Sequence, residues 1–249
     1  GVRQYPDGRG FYEWALRPHT TTDLTPAEVH QLGLDELVRI HHEMRLIFDE
    51  LGYPQEETLE PLYNRVASDG GVIRSEEAIA TFEGFVDFAE ARMPEAFDVF
   101  PRAEVVVIGG PFGGFYISPS FDGARPGAFY AGTSQDLPRY DMPSLTVHAT
   151  LPGQHYPSAL AREPDLPPFR QLMHFTGYIE GWGLYAERLA WELGWYEGDP
   201  YANLGRLQFE ALRAARLVID TGIHSLGWSF DQAARFNRDN VGASPGASQ

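Results

Sequence analysis

The sequence of 249 residues contains neither cysteine nor lysine. The absence of cysteine excludes disulfide bonds and thiolate metal sites, and it leaves the redox compartment undetermined. All 19 basic residues are arginine, against 35 aspartates and glutamates, and the formal net charge is −16. Because an acidic surface repels phosphate backbones, we expect no nucleic-acid partner.

Long hydrophobic runs are also missing. No apolar stretch approaches the ~20 residues that a membrane-spanning helix needs, and no signal peptide is recognisable. We therefore expect no membrane partner and a soluble protein, and the pattern leaves open whether it is cytoplasmic or exported. Apolar residues make up 43% of the chain and aromatic residues 13%, which is typical of a packed globular fold.

Local signals divide the chain into helices around a short region of strands. Thr25-Pro26-Ala27-Glu28 predicts a helix start, and Gly52-Tyr53-Pro54 predicts its end. Ser75-Glu76-Glu77-Ala78 begins a second helix that reaches about Arg92, and the capping box Ser229-Phe230-Asp231-Gln232 begins a last short one. The β-branched run 105–108, followed by short apolar stretches between glycines and prolines, predicts a small sheet.

The expected fold class is therefore mainly α with a small β-sheet (α+β). We expect one catalytic-type domain over residues 1–241 and a disordered, low-complexity tail over 242–249. Within the domain, the predicted parts are a helical region 1–100, a sheet region 103–134 and a helical site region 143–241. The site region should contain helices at 145–155, broken near Pro152-Gly153, at 167–194 and at 200–224.

One histidine-containing helix followed by a glutamate-containing helix carries the chemical signal. His148 lies in the stretch 146–155, and Glu180 lies in the next predicted helix. Zinc peptidases of the H-E-x-x-H…E kind build their metal site from such a pair of helices. The residue after His148, where these enzymes keep the glutamate that acts as general base, is Ala149.

Several segments in the same order resemble the bacterial domain-of-unknown-function 885 family, over what would be its C-terminal half. The matching segments are residues 6–12, 19–26, 122–130, 180–187, 213–224 and 227–229. The family is grouped with zincin-type metallopeptidases, so the resemblance implies a zincin-like helical scaffold, a peptide or amide substrate and bound zinc. Its motif usually reads His-Glu-x-x-Pro-Gly-His-His, then a hydrophobic residue and Gln. This chain has Ala149 for the Glu, Gln154 for the first paired His and Pro157 for the Gln, which implies a weakened zinc site.

The resemblance implies a set of site residues, each with a plainer alternative. The metal ligands would be His148, His155 and Glu180, the catalytic residues His148, His224 and Tyr185, and the substrate-binding residues Arg125, Tyr130 and Arg213. Glu187 would orient a ligand or pair with Arg213 or Arg216. The alternatives are a hydrogen-bonded core histidine at 148, a packing aromatic at 185 and a loop anchor at 125.

Three functions remain open from sequence. The first is a metallopeptidase-like hydrolase with a degenerate site. The second is a repurposed enzyme, such as an isomerase, lyase or cyclase, that performs acid–base chemistry in the same cavity. The third is a catalytically dead binding or partner subunit. Expected partners are a small-molecule or peptide substrate, and either an N-terminal half that is absent here or another chain. Ala149 is either a natural divergence or an engineered substitution.

Overall fold

The computed structural model describes residues 1–163, 166–172 and 175–242, so most of the predicted tail, from residue 243 on, lies outside the described residues. The chain gathers into two compact units. The first contains Gly1–Asp69 and Leu207–Gln249, and the second contains Gly70–Arg206. The assignment of a single domain stays a prediction.

Helices dominate the described residues, and the strands are few and short, which confirms the predicted fold class. The helices are α1 Gly8–Thr20, α2 Pro26–Glu50, α3 Leu59–Asp69, α4 Ala78–Arg92, α5 Met142–Ala149, α6 His155–Leu160, α7 Pro168–Leu172, α8 Thr176–Glu192, α9 Pro200–Thr221 and α10 Phe230–Val241. The strands are β1 Val72–Ile73, β2 Val105–Gly110, β3 Phe115–Ile117, β4 Gly127–Gly132 and β5 Leu137–Pro138. No helix in this part of the chain is both long and apolar enough to cross a membrane.

The first unit begins two of its helices where the sequence predicts them. At the start of α2, the hydroxyl of Thr25 accepts a hydrogen bond from the backbone N–H of Glu28, whose carboxylate accepts one from the Thr25 N–H. Ser229 and Gln232 form the same reciprocal pair at the start of α10. Both capping boxes satisfy N–H groups that a helix end otherwise leaves without partners.

Close packing inside the first unit depends on a glycine of α2. A Cβ atom at Gly33 would lie 2.7 Å from the carbonyl oxygen of Ala214 and 2.7 Å from a methyl group of Val218, both on α9. Only glycine therefore lets these two backbones approach so closely. Nearby, the hydroxyl of Tyr12 on α1 donates a 2.5 Å hydrogen bond to Asp220 at the end of α9.

The second unit contains a three-stranded sheet in the order β2-β4-β3. β2 pairs parallel to β4 from Val105 opposite Gly127 to Gly110 opposite Gly132. β3 pairs antiparallel to β4, with Phe115 opposite Tyr130. The predicted sheet at 103–134 is confirmed, and a separate two-residue ladder joins β1 to β5.

An apolar cluster covers one face of this sheet. Phe129 and Ala131 of β4 pack with Phe82 of α4 and with Met142 and Ala149 of α5, and all five are buried. The rings of Phe82 and Phe129 meet edge to face with centroids 5.3 Å apart, a favourable geometry for aromatic pairs. Burial of this cluster fixes α5 against the sheet.

Two helices of the site region differ from their predicted extents. α5 ends at Ala149 because Thr150 has φ −112° and ψ −113°, outside the helical region, so that the break precedes Pro152 and His155 begins α6. The predicted helix 167–194 is two helices, α7 and α8, because Phe175 has extended backbone angles of φ −94° and ψ 112°. In the first unit, α9 continues into a π-helical turn, Gly222–Leu226.

Candidate functional site

The imidazole of His148 lies against α8 at a position that only glycine allows. His148 is at the end of α5 and is buried. A Cβ atom at Gly183 of α8 would lie 2.6 Å from Cε1 of the ring and 2.8 Å from each ring nitrogen. Gly183 therefore makes the room in which the ring rests on the helix backbone, and this close approach sets which α8 side chains the ring can reach.

Each ring nitrogen of His148 faces a glutamate of α8. Nδ1 lies 2.8 Å from Oε1 of Glu187, and Nε2 lies 3.3 Å from Oε2 of Glu180. The two glutamates are two helical turns apart, so they share one face of the helix. The Glu187 side chain is 1% exposed and that of Glu180 is 56% exposed. A chain of three ionisable groups therefore runs from the interior to the solvent.

The number of protons shared by Glu187, His148 and Glu180 determines which of their contacts can be hydrogen bonds. Ionised carboxylates only accept hydrogen bonds, and a neutral imidazole has one N–H donor. Both contacts can be hydrogen bonds only if His148 carries two ring protons or one carboxyl group is protonated. The Nε2–Glu180 contact is thus a place where a proton can sit on either partner, while Glu187 fixes the orientation of the ring through Nδ1.

Gln154 completes the immediate surroundings of Glu180. The backbone turns back after α5, with the Gln154 N–H donating a 2.7 Å hydrogen bond to the carbonyl of His148. Gly153 permits this turn, because a Cβ atom there would lie 2.0 Å from the same oxygen. The amide Nε2 of Gln154 donates a 2.8 Å hydrogen bond to Oε1 of Glu180. The residue in the position of the first paired histidine therefore reaches the site, but as a hydrogen-bond donor.

The structure places His155 in a different environment from His148. Its Nδ1 lies 2.8 Å from the hydroxyl of Tyr116, and its Nε2 lies 2.9 Å from the carbonyl oxygen of Ala103. Burial lowers the pKa of His155 to about 4. A Cβ atom at Gly127 would lie 2.5 Å from Nδ1, so only glycine at this position leaves room for the His155 ring. Both nitrogens have partners, and the geometry does not bring His155 to His148 and Glu180 as a third metal ligand.

Ala149 belongs to the core rather than to the polar site. It is 1% exposed and packs with Phe82, Phe129 and Met142 in the apolar cluster under the sheet. A glutamate at this position would need room and a polar partner within that cluster. The position to which the resemblance assigns the general base is therefore an alanine in apolar packing.

These donors fall short of the zinc site that the resemblance implies. The 3.3 Å between Nε2 of His148 and Oε2 of Glu180 would suit two ligands of one tetrahedral ion with bonds of about 2.0–2.2 Å. Catalytic zinc usually has three protein ligands and a water molecule. The third position holds the Gln154 amide, whose N–H₂ group faces Glu180. Because Gln154 presents an N–H₂ donor to Glu180, the described residues around His148 do not supply the three ligands of a catalytic zinc site.

Comparisons with known proteins identify the family. A family model for a bacterial protein of unknown function, DUF885, matches residues 2–249. The chain belongs to the DUF885 family. It is similar to a candidate lipoprotein from Colwellia psychrerythraea, whose crystal structure superimposes with a TM-score of 0.93 at 33% sequence identity. That match covers 98% of this chain and 44% of the Colwellia protein, so the chain spans less than half of that protein's length. No protein with a curated description matches it.

Three further residues that DUF885 resemblance suggested lie in the second unit. Tyr185 is 48% exposed on α8, with its ring centroid 5.8 Å from that of Trp182. Tyr130 of β4 stacks on Phe115 at 4.8 Å. The guanidinium of Arg125 donates to the carbonyls of Ser118 and Pro126, as expected for a loop anchor. The catalytic role of Tyr185 and the substrate-binding roles of Tyr130 and Arg125 stay predictions.

His224 and Arg213 lie in the first unit. In the π-helical turn, His224 accepts a 3.1 Å hydrogen bond from the backbone N–H of Val2 through Nδ1, and its ring stacks on Tyr12 at 5.3 Å. Arg213 lies on α9, where Nη1 donates to the carbonyl of Phe209 and the guanidinium lies over its ring. These contacts explain a packing role for both residues, and their predicted roles in catalysis and substrate binding remain untested.

Two residues of the site region were missed by sequence reasoning. The indole N–H of Trp182 donates a 2.8 Å hydrogen bond to the carbonyl of Pro152, which holds the turn that carries Gln154. The hydroxyl of Tyr196 lies 3.0 Å from that of Ser144, and burial raises its pKa, with the nearby Glu187 carboxylate adding to the rise. Trp182 follows Glu180 closely in sequence, so its position in that block was an available signal. Nothing local indicated Tyr196.

Proposed function

We propose that this DUF885 protein carries an acid–base site, centred on His148, that acts without zinc on a peptide-like or amide-type small molecule. The observation that carries the proposal is the placement of one buried imidazole between two carboxylates, at 2.8 Å and 3.3 Å. The substrate class comes from the zincin-type resemblance. The expected reaction is a proton-transfer reaction such as an isomerisation, elimination or cyclisation.

Each member of the chain has a distinct part in such a reaction. Glu187 accepts the Nδ1–H of His148 and keeps Nε2 directed at Glu180. Glu180 is the exposed member, so a substrate can approach its carboxylate from solvent. A proton taken from the substrate enters the Nε2–Glu180 pair, and the pair returns a proton to another atom of the substrate. General acid–base catalysis of this type contributes about 100- to 10,000-fold in rate.

The same geometry supports proton transfer better than hydrolysis on a metal. Metal-assisted hydrolysis needs a base for the attacking water, and position 149 is an alanine packed in an apolar cluster. It also needs a third ligand, and Gln154 offers an N–H₂ group instead. Restoring a glutamate at position 149 alone would place a carboxylate among apolar side chains, so we expect that change to lower stability rather than to create a peptidase.

A deuterium-exchange experiment tests the proposal. The protein is incubated in D₂O with chelator and a panel of N-acetylated dipeptides, and mass spectrometry follows deuterium incorporation, rearrangement and cleavage. We expect chelator-resistant incorporation or rearrangement that falls by about 100-fold or more in His148→Gln and Glu180→Gln. His42→Gln, an exposed residue of α2, is the control and should behave as wild type. Cleavage that disappears with chelator, or turnover that His148→Gln leaves unchanged, would overturn the proposal.

A further inference from the structure

The end of α6 places a second unusual charge in the second unit. Arg162 follows this helix, and its Nη1 donates a 3.0 Å hydrogen bond to the carbonyl of Ser158. Its Nε is buried and has no hydrogen-bond partner among the residues that the structure describes. An unmade hydrogen bond at a buried donor is costly, and a charged donor is more costly than a neutral one. The protein therefore retains an arginine whose hydrogen bonding is incomplete.

Among the residues that the structure describes, the acidic side chains near Arg162 have other partners or lie beyond ion-pair distance. Glu163, the next residue, interacts with Arg102 through the backbone N–H at 2.8 Å and the guanidinium at 3.6 Å. Within the part of the chain that the structure describes, no carboxylate lies at ion-pair distance from Arg162 or Arg125. This is unusual in a chain with 35 acidic and 19 basic residues.

The loop between β3 and β4 contains Arg125 and contacts Arg162 through Phe121. Phe121 of this loop lies under the guanidinium of Arg162, with 4.8 Å between Cζ and the ring centroid. Arg125 is held in the same loop by the carbonyls of Ser118 and Pro126. Burial lowers the pKa of Arg162, and the charge of Arg125 adds to the lowering. The carboxylate of Asp122 interacts with Arg125 but, among the described residues, no carboxylate lies at ion-pair distance from either guanidinium, so an anion between them would stabilise both.

We infer that Arg162 and Arg125 form a binding site for the carboxylate of a small molecule, beside the β3–β4 loop. A carboxylate matches the planar donor geometry of guanidinium groups. Phe121, which is 52% exposed, offers an apolar surface to the rest of the ligand.

The loop favours a carboxylate over a phosphate. Phosphate sites commonly recruit several backbone N–H groups. Here the N–H groups of Ser120 and Gly123 donate to carbonyls within the loop, that of Ala124 donates to Asp122, and that of Arg125 donates to the Ser120 hydroxyl. These N–H groups are already used, so the guanidinium groups are the main donors left for an anion.

A binding experiment separates the possible ligands. Isothermal titration calorimetry compares N-acetylglycine, its neutral analogue N-acetylglycinamide and inorganic phosphate. We expect N-acetylglycine to bind and the neutral amide to bind at least about tenfold more weakly. Equal binding of acid and amide would overturn the inference, and so would binding of phosphate without binding of N-acetylglycine.

Matched arginine variants locate the site. Arg162→Gln should weaken N-acetylglycine binding by about tenfold or more. Arg188 is the matched control, because it also lies over an aromatic ring, that of Trp191. Its charge is already paired with Glu192, so Arg188→Gln should bind N-acetylglycine as the wild type does. If circular dichroism shows that Arg162→Gln does not fold, the exposed Arg125→Gln decides. If Arg162→Gln folds and binds N-acetylglycine as tightly as the wild type, the inference is overturned. If Arg162→Gln does not fold, unchanged binding in Arg125→Gln overturns it. The result does not depend on turnover, so the inference can fail separately from the proposed acid–base function.

Discussion

At the scale of single residues, position 154 decides what the His148 site can bind. A histidine there would offer a ring nitrogen beside Glu180, whereas glutamine points its N–H₂ group at that carboxylate. An N–H donor cannot coordinate a cation. With glutamine at position 154, His148 and Glu180 are the two possible metal ligands, and Gln154 is hydrogen-bonded to Glu180.

The buried His155 should make stability depend on pH. Its pKa is about 4 in the folded protein, below the ordinary value of about 6.5 that the unfolded chain retains. The unfolded state therefore binds the proton more readily. The contribution of His155 is fully present above pH 6.5 and is lost as pH falls to about 4, where the loss approaches about 3 kcal/mol.

Urea unfolding of His155→Gln between pH 4 and 7 measures this contribution. Glutamine does not titrate, so we expect the free energy of unfolding to fall less steeply with decreasing pH than in the wild type. His42→Gln, at an exposed position, should keep the wild-type slope. If the free energy of unfolding falls equally steeply with decreasing pH in the wild type and in His155→Gln, protonation of His155 does not contribute to the pH dependence of stability.

The sequence predicted His148, Glu180 and His155 as ligands, and in the structure His148 and Gln154 contact Glu180 whereas His155 contacts Tyr116 and Ala103. The residue types and the family resemblance mark the pair on consecutive helices. Which of two neighbouring residues then turns toward Glu180 depends on the backbone between Thr150 and Gly153. That backbone is fixed by a 2.7 Å hydrogen bond to the His148 carbonyl and by the indole of Trp182. The Trp182 contact joins residues 30 positions apart, and the local spacing of residues does not predict it.

At the scale of elements, α8 supplies both the carboxylates and the gap for the imidazole. Gly183→Ala would place a Cβ atom 2.6 Å from the His148 ring. We expect it to lower the free energy of unfolding by about 1–3 kcal/mol because the overpacked ring must move. Urea denaturation would measure the change.

The same helix provides the control. A Cβ atom at Gly181 would have nothing within 4 Å, so Gly181→Ala should stabilise the protein by about 0.5–1 kcal/mol through helix propensity alone. If both substitutions stabilised the protein equally, the tight contact between Gly183 and His148 would be refuted.

Helix starts were predictable where a local pair of side chains defines them. The Thr25–Glu28 and Ser229–Gln232 capping boxes are of this kind, and the structure contains both. The single predicted helix at 167–194 has no equally local signal against it. The extended backbone of Phe175 interrupts it without a proline or glycine at that residue. Sequence periodicity therefore overestimated the length of this element.

At the scale of the whole molecule, the similarity to a known protein lies in the fold. At 33% identity the chain superimposes on the Colwellia protein with a TM-score of 0.93, and the family match runs over residues 2–249. Within the segment that resembles the family's His-Glu-x-x-Pro-Gly-His-His motif, this chain has Ala149 and Gln154. Packing of apolar clusters and glycine contacts preserves the scaffold without requiring the ligands.

Thermal unfolding with and without zinc tests the account most directly. A ligand that binds only the native state raises the melting temperature by mass action. We predict that about 100 μM zinc, compared with chelator, leaves the wild-type Tm unchanged, whereas Gln154→His, which restores a third ligand, shows a higher Tm in zinc. A zinc-dependent rise in wild type that disappears in His148→Gln and Glu180→Gln would contradict the account, because it would show that the His148 site holds zinc after all.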